Sequence, residues 1–160
     1  MPPPRTCAPM FITVKLVGLL PPHHRRIVPD TFTPASRALF EKKVFAHVAS
    51  LDPDGSPNVS PVWVGLDGDD IVINTALGRA KARNLANDAR VAVSLTDPDD
   101  PEVSISLRGN VVVFTTDGAD GVIDALAKKY TGADHFEKSD PGEIRVTVKI
   151  RPERISRQPE

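Results

Sequence analysis

The stretch VFAHVASLDPDGSPNVSPVWVGLDGDDIVINTA, residues 44–76, decides the fold. It holds two runs of strand-forming residues on either side of Asp52-Pro53-Asp54-Gly55. Proline presets φ, aspartate bonds to nearby backbone and glycine supplies positive φ, so the tetrapeptide reads as a turn between two strands. Asp67-Gly68 repeats the device and starts a third strand, DDIVINTA. Three antiparallel strands in a meander follow. Pro61 sits inside the middle one and has no N–H for a ladder, which puts an edge or a bulge there.

Working outward, Thr33-Pro34 is a capping hydroxyl followed by proline, and predicts a helix running to about Lys43. Downstream, a short helix runs from about Arg79 to Asn87 and a strand from Val91 to Thr96. After the polar loop DPDDPE the alternation is clean. Val103, Ile105, Leu107, Gly109, Val111 and Val113 share one face, and Ser104, Ser106, Arg108 and Asn110 the other. This predicts one long strand, bent near Gly109. Asp117 is placed to cap a helix whose Val122, Ile123, Leu126, Ala127 and Tyr130 recur at helical spacing, with Gly132 ending it. The last strand, EIRVTVKI, points Ile144, Val146, Val148 and Ile150 one way and Arg145, Thr147 and Lys149 the other.

Six strands in hairpins with two or three helices predict a mainly β chain folded as a small closed or nearly closed barrel, because closure removes exposed edges. Without βαβ alternation or a GxGxxG turn, a doubly wound nucleotide fold is disfavoured.

At 160 residues the chain is expected to form one domain. Eight of its sixteen prolines fall in the first 34 residues, so residues 1–32 read as an irregular Pro-rich N-terminal appendage and 33–157 as the barrel. His23 and His24, on that appendage, read as solvent-exposed rather than metal-binding. A net charge of −1 and few aromatic residues argue against nucleic acid as a partner. A single cysteine, Cys7, excludes an intrachain disulfide and a cysteine-based zinc site, and fits a cytoplasmic location. The longest apolar run, Met10 to Leu20, carries Lys15 and is too short to span a bilayer. No triad, paired carboxylate site or metal cluster stands out, so no catalytic side chain is assigned.

One segment breaks this ordinary picture. In GRAKARNL, residues 78–85, Arg79, Lys81 and Arg83 crowd the start of a short helix. On an ideal helix residues 79 and 83 share a face while 81 lies about 200° away, so three fully helical residues would not converge. With the helix starting near Arg79, one side chain leaves from the loop and the next from the first turn. Cations at a helix N-terminus oppose the dipole, by about 0.3–1 kcal/mol each. The free N–H groups there suit an anion. The competing reading is a solvated basic helix paired with Asp88.

The run GSPNVSPVWVGLDGDDIVINTALGRAKARNLANDARVAVSL, followed by LRGNVVV and LAKKYTG, resembles the flavin and deazaflavin oxidoreductases of the split β-barrel class, relatives of pyridoxamine 5′-phosphate oxidase. The match is nearest to the branch that binds coenzyme F-420, a 5-deazaflavin, and covers about Thr33 to Arg157. The resemblance implies a six-stranded split β-barrel and a homodimer with the cofactor in an interface groove. It implies phosphate contacts from Arg79, Lys81 and Asn84, with Arg83 beside them, and a phosphate or linker contact from Thr75. It also places Ser60, Pro61, Val62 and Trp63 along the tricyclic ring. For Trp63 the residue-level alternative is a core or dimer-interface aromatic. His47 and Tyr130 read as packed residues.

The activity implied is hydride transfer from reduced F-420 to an electron-poor acceptor: a conjugated ketone, a quinone or a tetrapyrrole. Two alternatives stay open. One is an FMN-dependent oxidase or reductase of the pyridoxamine 5′-phosphate oxidase type. The other is a non-catalytic barrel that carries or senses a cofactor.

Overall fold

Thr33 and Pro34 start a helix as their chemistry requires. In the computed structural model, which describes residues 30–158, helix α1 spans Pro34–Glu41, with the Thr33 hydroxyl accepting from the Ser36 N–H at 3.3 Å. Cys7, His23, His24 and residues 1–29 of the expected appendage lie outside the described residues. Phe32, also assigned to that appendage, is buried and packs edge-on against Phe40 at 5.1 Å. Asp30 Oδ2 accepts from the Ile155 N–H at 2.8 Å.

Seven strands follow: β1 (Ala46–Leu51), β2 (Pro57–Val62), β3 (Val64–Asp67), β4 (Asp70–Ala76), β5 (Arg90–Thr96), β6 (Ser104–Thr115) and β7 (Arg145–Gln158). They form one antiparallel sheet in the order β2-β1-β5-β6-β7-β4-β3. The outermost strands, β2 and β3, are separated in the chain by Trp63 alone. The sheet must therefore curl until its two edges meet.

This seam explains why there are seven strands and not the expected six. The middle strand of the meander changes partner at Trp63. Its first half pairs with β1, Ala46 opposite Val62, and its second half with β4, Val64 opposite Ile73. Pro61, opposite His47, lies on the edge strand where a missing N–H is tolerated. Inside the curl, Val48, Val64, Ile71, Ile73, Val93, Val146 and Ile150 are buried in a single apolar core.

Helix α3 (Ala119–Thr131) closes the seam chemically. The Val64 N–H donates to the Tyr130 hydroxyl at 3.1 Å, and that hydroxyl donates to the Val44 carbonyl. Lys129 Nζ donates to the Val64 carbonyl at 2.9 Å and to the Phe40 carbonyl at the end of α1. Gly132 ends α3 in the left-handed conformation, as predicted. Asp117 does not cap its start: the N-cap is Gly118, also left-handed, and no side chain bonds there.

Two further differences have physical causes. Ile144 precedes β7 and is exposed, while Arg145 and Thr147 are buried. Helix α3 packs on that side of the sheet, where Asn74 Nδ2 donates to the Ala119 carbonyl at 2.9 Å. β7 also runs eight residues past the predicted end at Ile150, through Pro152. Its register with β6 shifts between Arg108 and Gly109, and Gly109 lies opposite Pro152. A Cβ on Gly109 would sit 2.2 Å from the Arg151 carbonyl oxygen.

Gly109→Ala is therefore expected to cost about 1–3 kcal/mol through overpacking. A urea midpoint equal to the parent's would show that the two backbones are not this close. Tyr130→Phe is expected to cost about 1–3 kcal/mol by stranding the Val64 N–H. Hydrogen exchange at Val64 should accelerate in that variant, and unchanged protection there would sink the seam assignment.

Candidate functional site

β4 ends at Ala76, and Gly78 turns the chain, at φ +86°, into α2 (Ala80–Asn87). A Cβ at Gly78 would meet open space, so the left-handed backbone is what favours glycine here. Arg79 is the N-cap of α2. No side chain caps the helix and no acidic residue lies in its first turn. The cations thus stand at the end of the helix where its dipole is also positive.

Their surroundings come from an element the sequence did not connect to them. Arg79 Nη2 donates to Glu143 Oε2 at 3.0 Å, and Arg145 Nη1 donates to Glu143 Oε1 at 2.6 Å. Arg145 Nε donates to Asn74 Oδ1 at 2.8 Å, and its guanidinium lies 4.9 Å from the Phe136 ring centroid. The side chains of Arg145 and Glu143 are 4% and 9% exposed. Hydrogen bonding to Arg145, above all, holds the Glu143 carboxyl below its ordinary range.

Lys81 is different. It is half-buried, and among the described residues no ion pair includes it. Burial, then the charges of Arg79 and Arg145, pull its pKa down to about 8. Arg79 and Arg145 therefore share one carboxylate, Glu143, and Lys81, whose charge theirs oppose, has none. Beside them is a cavity of about 480 Å³, lined by residues 76–79 of one loop and by Asp140 with residues 142–144 of the other.

The remaining site residues are dispersed. Arg83 is exposed and folds back to donate to the Gly78 carbonyl. Asn84 is buried, and its amide donates to Asp52 Oδ1 at 2.7 Å and to Ser50 Oγ at 3.2 Å, tying α2 to the β1–β2 turn. Thr75 is buried in β4 opposite Val146. Asp88, the alternative partner for the basic segment, pairs with Arg90 at 2.6 Å instead.

On the seam, Val62 is buried and Pro61 exposed. His47 is exposed rather than packed. The Ser60 hydroxyl oxygen is buried without a hydrogen-bond partner, the one such side-chain atom among the described residues. Trp63 stacks on Tyr130, with centroids 5.1 Å apart and planes 10° off parallel, and meets Phe136 edge-on at 5.9 Å. Phe136 thus touches both Trp63 and Arg145, and links the seam to the cation cluster.

Sequence reasoning missed Glu143, Arg145 and Asn74. The one available signal was Glu143 and Arg145 at i and i+2, on one face of an extended chain. Without α3 in view, nothing marked that face as buried.

The donor set fits an anionic cofactor. A half-buried lysine without a counter-ion and an uncapped helix start both suit a phosphate. The buried Ser60 hydroxyl has a hydrogen bond still to make. Among the described residues no cluster of His, Cys, Asp and Glu is built to hold a metal ion, and no helix is long and apolar enough to cross a membrane.

Comparison with known proteins agrees with this architecture. No curated protein matches the chain. Among solved structures, an F-420 reductase is 29% identical over 81% of this chain and 98% of its own, with a TM-score of 0.66. A conserved hypothetical protein from Mycobacterium tuberculosis is 21% identical over 85% of this chain and 89% of its own, with a TM-score of 0.65. An FAD- and haem-binding protein from Mycobacterium smegmatis is 24% identical over 81% of this chain and 71% of its own, with a TM-score of 0.60. The last two share the fold. A family profile described as pyridoxamine 5′-phosphate oxidase matches residues 32–158, which contain the whole described sheet, and the chain belongs to that family.

Proposed function

We propose that this chain is an F-420-dependent oxidoreductase that transfers a hydride from the reduced deazaflavin to an electron-poor organic acceptor. It would work as a cytoplasmic homodimer, with each cofactor in a groove between the two copies. The observation that carries the reading is Lys81: a half-buried ammonium without a carboxylate partner, at an uncapped helix start, beside two guanidiniums. Such a charge costs the bare protein stability and is repaid when an anion binds. The likeness to an F-420 reductase favours the deazaflavin.

The cofactor supplies the hydride chemistry when bound, and the protein supplies position and electrostatics. Arg79 and Lys81 hold the phosphate, helped by the free N–H groups that open α2. Arg83 and Thr75 stand beside that contact. Asn84 contributes by fixing α2 against Ser50 and Asp52. The Ser60 hydroxyl has a free donor for a polar ring atom. Val62 and Trp63 wall the ring, and Trp63 is held in place by Tyr130 and Phe136. FMN is the second reading, favoured by the family profile, and it would use the same phosphate site.

Titration of the purified protein with F-420 and with FMN, followed by ligand fluorescence, tests the reading. Saturable binding at micromolar concentrations is expected for F-420, and its absence for both ligands ends the proposal. Lys81→Met should weaken F-420 about 10- to 150-fold, the equivalent of a charged hydrogen bond worth about 1.5–3 kcal/mol. The same variant should melt at a higher temperature than the parent, because an uncompensated half-buried charge is gone.

The pH dependence has two signs. The ligand needs the protonated amine, so affinity should be flat below the Lys81 pKa of about 8 and fall as pH rises through it. The folded-state pKa lies below the unfolded value of 10.5, so the unfolded chain binds more protons between them. This residue's contribution to stability should therefore improve as pH climbs from about 8 toward 10.5. Lys81→Met should abolish both trends, and a parent-like pH profile in that variant would assign them to another group.

A further inference from the structure

We propose that Glu143 is a specificity-determining residue of the cation cluster. Fixed between Arg79 and Arg145, its carboxylate biases the site toward a phosphodiester, which carries one charge, and against a terminal phosphate monoester, which carries about two. The inference rests on the reading that a cofactor phosphate lies at this cluster. It separates the two candidate cofactors by the chemistry of that phosphate, because F-420 carries a diester and FMN a monoester.

The first observation is that Glu143 cannot step aside. Each of its oxygens takes a guanidinium, at 3.0 Å from Arg79 and 2.6 Å from Arg145. Arg145 is buried and anchored by Asn74 at 2.8 Å. Moving Glu143 away would leave that buried guanidinium uncompensated, which is strongly unfavourable. A ligand in the cavity therefore meets Arg79 with the carboxylate already bonded to it.

The second observation is what the carboxylate occupies. It takes one donor from each guanidinium, at the wall of a cavity that Arg79, the N-cap of α2, also lines. Lys81, which no carboxylate engages, and the uncapped start of α2 are left outside that fork. Two unesterified oxygens, as in a diester, make smaller demands on that reduced set than three. Asp140 lines the same cavity and adds a second negative group on the same side.

The third step is elementary electrostatics. Repulsion from a fixed charge is proportional to the charge it meets. Whatever factor Glu143 costs a singly charged phosphate, it costs a doubly charged one the square of that factor. If Glu143→Gln improves a monoanion about 3-fold, the dianion should improve about 10-fold. A residue that merely positions the two arginines predicts the reverse: its loss would weaken every phosphate ligand alike.

The test is fluorescence titration of the parent, Glu143→Gln and Glu143→Asp with F-420, FMN and phosphate-free riboflavin. The expected result at about pH 7.5 is a gain in Glu143→Gln that is largest for FMN, smaller for F-420 and absent for riboflavin. At about pH 5, where the FMN phosphate is near one charge, the gain for FMN should shrink toward that for F-420. Glu143→Asp keeps the charge and changes the reach, so it should retain the parent's selectivity even if the fork geometry loosens. Equal weakening of F-420 and FMN in Glu143→Gln, or no change in either, overturns the inference. If the parent binds F-420 while Glu143→Gln behaves in one of those ways, only this inference falls. If the parent binds neither cofactor, the cofactor reading falls and takes the inference with it.

Discussion

Everything in this structure depends on how the two free edges of a seven-stranded sheet are brought together at one residue. Trp63 separates β2 from β3, and the backbone of Val64 beside it faces away from its only strand partner. An unpaired N–H and C=O at a curled edge would each carry a desolvation cost. Helix α3 removes both costs, with the Tyr130 hydroxyl on the N–H and the Lys129 amine on the carbonyl. The same two side chains reach the end of α1 and the residue that leads into β1. One helical turn thus ties α1, the β3 edge and the entry to β1 into a single unit.

The same architecture makes the cation cluster possible. α3 covers one side of β4 and β7, so Asn74 and Arg145 are buried there rather than solvated. A buried arginine needs a partner on every side, and Asn74, Glu143 and the face of Phe136 provide them. Glu143 then reaches Arg79, and Lys81 is left with neither water nor carboxylate in sufficient measure. The lowered pKa of Lys81 is the electrostatic trace of that arrangement. Stability alone would not place Arg79 and Lys81, with Arg145 beside them, at the positive end of a helix dipole.

Much of the fold was legible because its signals are local. Thr33-Pro34, Asp67-Gly68, Gly132 and the alternation from Val103 each carry their own mechanism. What was not legible depends on tertiary contacts. The division of the middle strand at Trp63 follows from barrel closure, which no short window of sequence contains. The eight extra residues of β7 include Pro152, a local argument against a strand, and they are tolerated because the chain is irregular opposite Gly109. Asp117 looked like a cap, but a left-handed glycine took the position. At the site, Arg79 and Lys81 could be singled out by their unfavourable place on α2. Arg145 and Glu143 could not, because their burial is conferred by a helix that precedes them in the chain.

Phe136 has a consequence of another kind. Its ring touches the indole of Trp63 on one side and the guanidinium of Arg145 on the other. The arginine and the only tryptophan in the chain thus pack on one aromatic ring. Indole emission is therefore the natural optical gauge to read for events at the charged end of the molecule, without any added dye.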